Sequence, residues 1–301
     1  MKINITLPKF ETKLLNLPYF VFRKSRNHAV GYMGKLYFLI NSYLITYLFK
    51  FFNEKSFCRL MNLFYKNDGK IEWDYDKLLF FKNYKNNVIY FPNKFRIAGS
   101  MVNHQYELNN LLDSYCLNKF ELNPNDTVVD CGANVGMFYL ALKQFETKLN
   151  YFAYEPDENV FKCLELNTSN FDNVKLFKKG LSARNGNASF YINSTSGDSS
   201  IEKFNSTQVD NIELVRLDNE NHKNIKLLKI DAEGHELEVL IGASNLLDKI
   251  QYICVDMGSE KGEAKENTVV SVVNFLYNNN FSLIEFNPSR TTGLFKNNES
   301  V

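Results

Sequence analysis

The chain lacks the signatures of several large protein classes at once. Its five cysteines (Cys58, Cys116, Cys131, Cys163, Cys254) are odd in number, scattered and never paired as C-x-x-C. That excludes a disulfide framework and the common zinc spacings, and it suits a reducing, cytoplasmic setting. No apolar run reaches the roughly 20 residues of a spanning helix. The longest, Leu36 to Phe49, holds 14 residues between Lys35 and Lys50. The opening residues, Met1 to Phe10, are mixed and interrupted by Pro8, and do not read as a secretory signal. Neither an internal repeat nor a strong net charge is present; the formal balance is +1.

The charge is nevertheless uneven. The first hundred residues hold 17 lysines and arginines against 6 acids, and the remainder 18 against 28. A basic first third could face an anionic membrane surface or a phosphorylated acceptor, or dock on the acidic remainder. We read residues 1–70 as a basic, aromatic-rich accessory region and 71–301 as the main domain, with its core between 126 and 290. The apolar run is expected as a helix packed in an accessory bundle, with peripheral membrane contact as the alternative.

The most informative stretch is Thr127-Val128-Val129-Asp130-Cys131-Gly132-Ala133-Asn134-Val135-Gly136. An apolar run ends in an acid, passes a glycine-bounded turn, and leads into helix-compatible residues from Met137 to Gln144. This is the pattern of a buried parallel strand, a tight turn and a helix whose first N–H groups are open to an anion. The G-x-x-x-G spacing is not the G-x-G-x-x-G of a dinucleotide fold and disfavours a nicotinamide cofactor. A second strand, Tyr151 to Tyr154, runs into Glu155-Pro156, where such folds bind a ribose diol with a carboxylate. A solvated glutamate at a loop entrance is the plain alternative.

Alternation continues with a helix over Glu158–Asn167 and a strand over Val174–Phe177. An exposed strand follows over Ala188–Ile192, with a polar loop from Ser194 to Ser200. A strand over Ile225–Ile230 ends in Asp231, and a helix is expected from His235 to Leu247. The strand Tyr252–Asp256, the helix Thr268–Tyr277 and strands near Ser282–Phe286 and Thr292–Phe295 complete the pattern. Upstream, two apolar runs between Leu78 and Phe91 predict a hairpin, and Glu107–Asn118 a helix. The whole predicts a doubly wound α/β sheet.

Three motifs together resemble the FkbM family of S-adenosylmethionine-dependent methyltransferases. They are Val129 to Gly136, Tyr154-Glu155-Pro156, and Leu228-Lys229-Ile230-Asp231-Ala232-Glu233-Gly234-His235-Glu236 continuing to Ala243. The resemblance covers roughly residues 100–290, and His235 departs from it in detail. It implies a Rossmann-like seven-stranded sheet of order 3-2-1-4-5-7-6 with an antiparallel final strand. It also implies methyl transfer, usually to a hydroxyl of a sugar or polyketide. By the same likeness, Asp130, Gly132, Ala133, Asn134 and Gly136 would hold the methionyl end of S-adenosylmethionine. Glu155 and Pro156 would hold the ribose, and Gly180 and Leu181 would line the adenine site.

Moving a methyl group to a hydroxyl requires alignment of the acceptor and removal of its proton. Asp231, Glu233 and His235 sit at a strand end beside the first motif and are the candidate catalytic residues. The two acids could instead be helix N-terminal acids favoured by the macrodipole, and His235 a helix-opening polar residue. No third ligand accompanies the acids, so no metal is expected; His104 is a lesser candidate, read as structural. The expected acceptor is a glycan or small molecule, not nucleic acid, because the catalytic part is acidic and lacks an Asn-Pro-Pro-Tyr motif. A nucleic-acid methyltransferase and a non-catalytic, membrane-docked scaffold are the alternatives.

Overall fold

The computed structural model describes residues 32–65, 68–85, 87–192, 199–200, 208–262 and 264–299. The first 31 residues and most of the polar loop 194–200 lie outside them. The apolar run becomes part of helix α1 (Tyr32–Phe51), followed by α2 (Glu54–Phe64). Among its described side chains, Ile45, Leu48 and Phe49 are buried, while Ile40, Tyr43, Leu44, Tyr47 and Phe51 are each at least 44% exposed. Among the described residues, no helix is long and apolar enough to cross a membrane.

Three antiparallel strands follow: β1 (Ile71–Asp74), β2 (Leu79–Tyr84) and β3 (Asn87–Phe91). The expected hairpin is β2–β3; β1 is too short, at four residues, to show an alternation. Helix α3 (Lys94–Ser114) begins well before the helix expected at Glu107. Its first half is buried almost continuously from Ile97 to Met101, so it carries no amphipathic period to read. Asn93 caps this helix, and Asn103, at φ −164° and ψ 104°, kinks it. The layer shares a core with the following domain, since Phe57, Phe80, Phe91 and Ile97 pack with Val135, Val160 and Cys163.

Strands and helices then alternate as β4 (Thr127–Cys131), α4 (Met137–Leu142), β5 (Asn150–Tyr154), α5 (Glu158–Thr168) and β6 (Val174–Phe177). Next come β7 (Gly180–Leu181), β8 (Gly186–Ile192), β9 (Gln208–Val215), β10 (Ile225–Ile230) and α6 (Glu236–Gly242). The chain ends with β11 (Ile250–Asp256), α7 (Val269–Asn278), β12 (Phe281–Asn287) and β13 (Thr292–Asn297). Helix α6 is shorter than expected: beyond Ala243 the chain tightens into a 3-10 turn over Ser244–Lys249.

One seven-stranded sheet runs β12-β13-β11-β10-β4-β5-β6, with β13 antiparallel to both neighbours. In order of occurrence along the chain this is 3-2-1-4-5-7-6, the expected Rossmann-like arrangement. The central strands are covered on both faces by helices, so they read as nearly unbroken apolar runs. In β10 every residue but Lys226 is buried, Lys229 among them. Strand β9, which the sequence pattern did not reveal, joins β8 antiparallel and β7 parallel in a smaller sheet beside the site.

Candidate active site

The β4–α4 turn is fixed from below by a buried ion pair. Parallel pairing sets Lys229 of β10 beside Asp130 of β4. The Lys229 ammonium lies 2.9 Å from Asp130 Oδ1, with the two side chains 3% and 0% exposed. It also donates to the Gly132 carbonyl at 2.8 Å. Burial works against the Lys229 charge, but Asp130 and Asp231 outweigh it and raise its pKa. Tyr151 donates its hydroxyl to Asp130 Oδ2. Asp130 is therefore an anchor beneath the turn.

Glycine is required at 132. Its φ is +73°, and a Cβ there would lie 1.9 Å from the Asp231 carbonyl oxygen. The turn's own N–H groups are spent internally. Those of Gly132 and Ala133 both donate to the Tyr154 carbonyl at 3.0 Å, and that of Gly136 to the Ala133 carbonyl. The N–H of Asn134 donates to Glu155 Oε2 at 2.9 Å, and that of Val135 to Asn134 Oδ1 at 2.8 Å.

Above the turn a cleft of about 630 Å³, solvent at its mouth included, opens between the carboxyl ends of β4, β5 and β10, where open α/β sheets place their ligands. Glu155 forms part of its wall. Its second oxygen accepts from the Asp157 N–H at 3.0 Å, and burial pushes its carboxyl up to about 7. Gly180, Leu181, Tyr154 and Phe190 also line it, as does Arg96 of α3.

At the tip of β10, Asp231 accepts from Tyr115 Oη at 2.6 Å and from Arg290 Nη2 at 2.9 Å. Arg290 also donates through Nε to Asp256 at 2.5 Å, tying the β12–β13 connection to β11. Burial would raise the Asp231 carboxyl, but Lys229 and Arg290, with the Tyr115 bond, hold it down to about 2. The following turn is held from inside. Glu236, 1% exposed, accepts from the N–H groups of Ala232 and Gly234 at 3.2 and 2.9 Å and from Thr268 Oγ1 at 2.9 Å. Burial pushes its carboxyl to about 7.

The cleft thus brings together Gly132, Asn134, Glu155, Pro156, Gly180, Leu181, Asp231 and Glu233 of the residues named from sequence. Asp130, Ala133, Gly136 and His235 do not line it. Asp130 lies below the turn, and Ala133 is packed in the core. Gly136 starts α4 at φ +87°. His235 is buried, with Nε2 3.0 Å from Ser182 Oγ. The N–H groups of the turn from Gly132 to Gly136 all have partners, whereas the expectation of open N–H groups concerns the helix that begins at Met137. His104 is buried too, its Nδ1 3.1 Å from Ser100 Oγ, and burial lowers its pKa to about 4. Arg96, Phe190 and Lys179 of the lining, and Arg290 behind it, were not singled out from the sequence; Lys229 stood within the third motif with no role assigned to it. The Asn93 cap was the one legible hint that a helix begins near Arg96.

The family described as the methyltransferase FkbM domain matches residues 130–283, just over half of the chain. The chain belongs to the FkbM methyltransferase family. No curated protein matches it. Among solved structures, an FkbM methyltransferase from Methylobacillus flagellatus KT is similar at 16% identity and a TM-score of 0.45, covering 68% of this chain and 55% of that one. The likeness thus spans about half of that protein. The N-terminal domain of human METTL16, solved with SAH, is similar at 13% identity and a TM-score of 0.37, over 64% of this chain and 68% of that one. TrmK of M. capricolum, solved with the cofactor product S-adenosyl-homocysteine, shows 11% identity and a TM-score of 0.37, over 64% and 69%.

FkbM methyltransferases use S-adenosylmethionine, and this cleft suits it. A carboxylate at the tip of β5 offers acceptors to a diol, an aromatic and aliphatic wall adjoins it, and one buried guanidinium nitrogen in the lining has no hydrogen-bond partner.

Proposed function

We propose that this FkbM protein is an S-adenosylmethionine-dependent O-methyltransferase acting on a hydroxyl of a sugar, glycan or other small metabolite. The observation that carries the reading is the cleft with Glu155 on one side and Asp231 and Glu233 on the other. When bound, the cofactor supplies an electrophilic methyl group. In the proposal, Glu155 holds the ribose, and Gly180, Leu181 and Phe190 enclose the base.

Asp231 is a poor proton acceptor, since Lys229 and Arg290 hold it near 2. We assign it the task of orienting the acceptor, and Glu233 that of receiving the hydroxyl proton. Glu233 is placed for this by a turn that needs φ +52° there and +97° at Gly234. A Cβ at Gly234 would stand 2.6 Å from Lys261 Cα, so the turn tolerates no substitute. His235, packed against Ser182, takes a structural part.

The acidic excess after residue 100 supports a neutral acceptor over a polyanion. The exposed apolar stripe of α1 and the basic first third support contact with an anionic membrane surface. Calorimetry with S-adenosylmethionine, and methyl transfer from labelled cofactor to fractionated cell-envelope glycans, test the reading. No binding would end it. RNA binding that weakens steeply with salt would move the acceptor to nucleic acid, and failure of the full chain to float with anionic vesicles would remove the membrane contact.

A further inference from the structure

Among the described residues, Arg96 is the one arginine in the cleft lining. The Asn93 cap accepts from its backbone N–H at 3.0 Å. The next two residues, Ile97 and Ala98, are buried in the core that also holds Val135 of the β4–α4 turn. Its backbone is therefore fixed over that turn. Its Nε is buried without a hydrogen-bond partner, and among the described residues its guanidinium has no ion pair. The charge is felt by Glu155 and Asp231 alike, lowering the proton affinity of each. Neither acid is its partner. Glu155 accepts one backbone N–H on each oxygen, and Asp231 is taken by Tyr115 and Arg290.

A half-buried guanidinium that lines a cleft, with no ion pair and one buried donor unmet, suits an anion. The usual donors for the cofactor's amino-acid end, the N–H groups of the glycine turn, are spent on Tyr154, Glu155 and the turn itself. We propose that Arg96 binds the α-carboxylate of the cofactor's methionyl arm, in place of the turn N–H groups. This rests on the S-adenosylmethionine reading above: with Glu155 on the ribose, the methionyl arm would run on through the cleft that Arg96 lines, within electrostatic reach of both Glu155 and Asp231. The accessory layer thereby contributes directly to cofactor binding.

The test is calorimetry on the full chain with two ligands, S-adenosyl-homocysteine and 5′-methylthioadenosine, which has the adenosine and sulfur but no amino-acid arm. Arg96→Ala should weaken S-adenosyl-homocysteine about 10- to 100-fold, the loss of a charge-assisted contact, and leave methylthioadenosine unchanged. Arg96→Lys should recover part of the loss. The ligand-free thermal midpoint of Arg96→Ala should not fall, because an unpaired charge has been removed. Equal loss for both ligands, or a lowered midpoint, would make Arg96 structural. Unchanged affinity for S-adenosyl-homocysteine would also overturn the assignment and leave an anionic group of the acceptor as its partner. If the wild-type chain bound neither ligand, the cofactor reading itself would fall and this assignment with it.

Discussion

Replacing Lys229 with methionine keeps the length of the side chain and removes its charge. Asp130 would then stand as a carboxylate at 0% exposure with only Tyr151 donating to it, and the Gly132 carbonyl would lose its 2.8 Å partner. Removing one member of a buried pair costs about 3–5 kcal/mol, because the other is left uncompensated. For a chain of this size that corresponds to a fall of roughly 6–15 °C in thermal midpoint. Asp130→Asn alone leaves Lys229 beside Asp231, 3.6 Å away, and should cost about 1–2 kcal/mol. The double variant should recover at least about 2 kcal/mol relative to Lys229→Met, the coupling expected of groups in one network. Thermal and urea unfolding of the four proteins completes the cycle. A Lys229→Met variant within about 1 kcal/mol of wild type, or a double variant no better than Lys229→Met, would refute the view that this pair anchors the turn.

Four further outcomes follow from the same geometry. Burial holds Glu155 near 7, above the free value of about 4.3, so in the ligand-free chain its contribution to stability declines as pH rises from about 4.3 through about 7. If its carboxylate receives the ribose hydroxyls, affinity for S-adenosyl-homocysteine should rise up to about tenfold per pH unit below about 7 and level off above; Glu155→Gln should flatten that profile, and a flat wild-type profile would refute the role. Glu233→Gln should reduce turnover about 10²- to 10⁴-fold with cofactor affinity unchanged. Asp231→Asn should lose the roughly 2–3 kcal/mol that the depressed pKa supplies, stability that wild type holds above about pH 4 and sheds as pH falls towards about 2; unfolding at about pH 7 and about pH 3 checks it. Gly132→Ala should cost at least about 3 kcal/mol, combining φ +73° with the 1.9 Å approach to Asp231. Gly262→Ala, at φ +63° with no atom within 4 Å, should cost only about 1 kcal/mol; equal midpoints for the two would sink the close-approach argument.

The sequence alone settled where each central strand stops and what stands at its tip. Apolar runs ending at Asp130, Glu155 and Asp231, each followed by a turn and a helix pattern, sufficed for a doubly wound α/β sheet, while the strand order was implied by the resemblance to the FkbM family. What it could not settle is which tip residues face the ligand and which are consumed by the fold. Asp130 and Glu155 look alike on paper, yet one is paired to a lysine 99 residues away in the sequence and closed off, while the other lines the cleft. The N–H groups of Gly132, Ala133 and Asn134 are taken up by Tyr154 and Glu155 once β5 lies alongside, a use that no local pattern announces. Arg96 and Arg290 reach the site from helix α3 and the β12–β13 connection, with no local pattern to announce them. Strand and turn preferences are local and so can be read along the chain, whereas the partner of a buried charge depends on which distant elements the packing brings together.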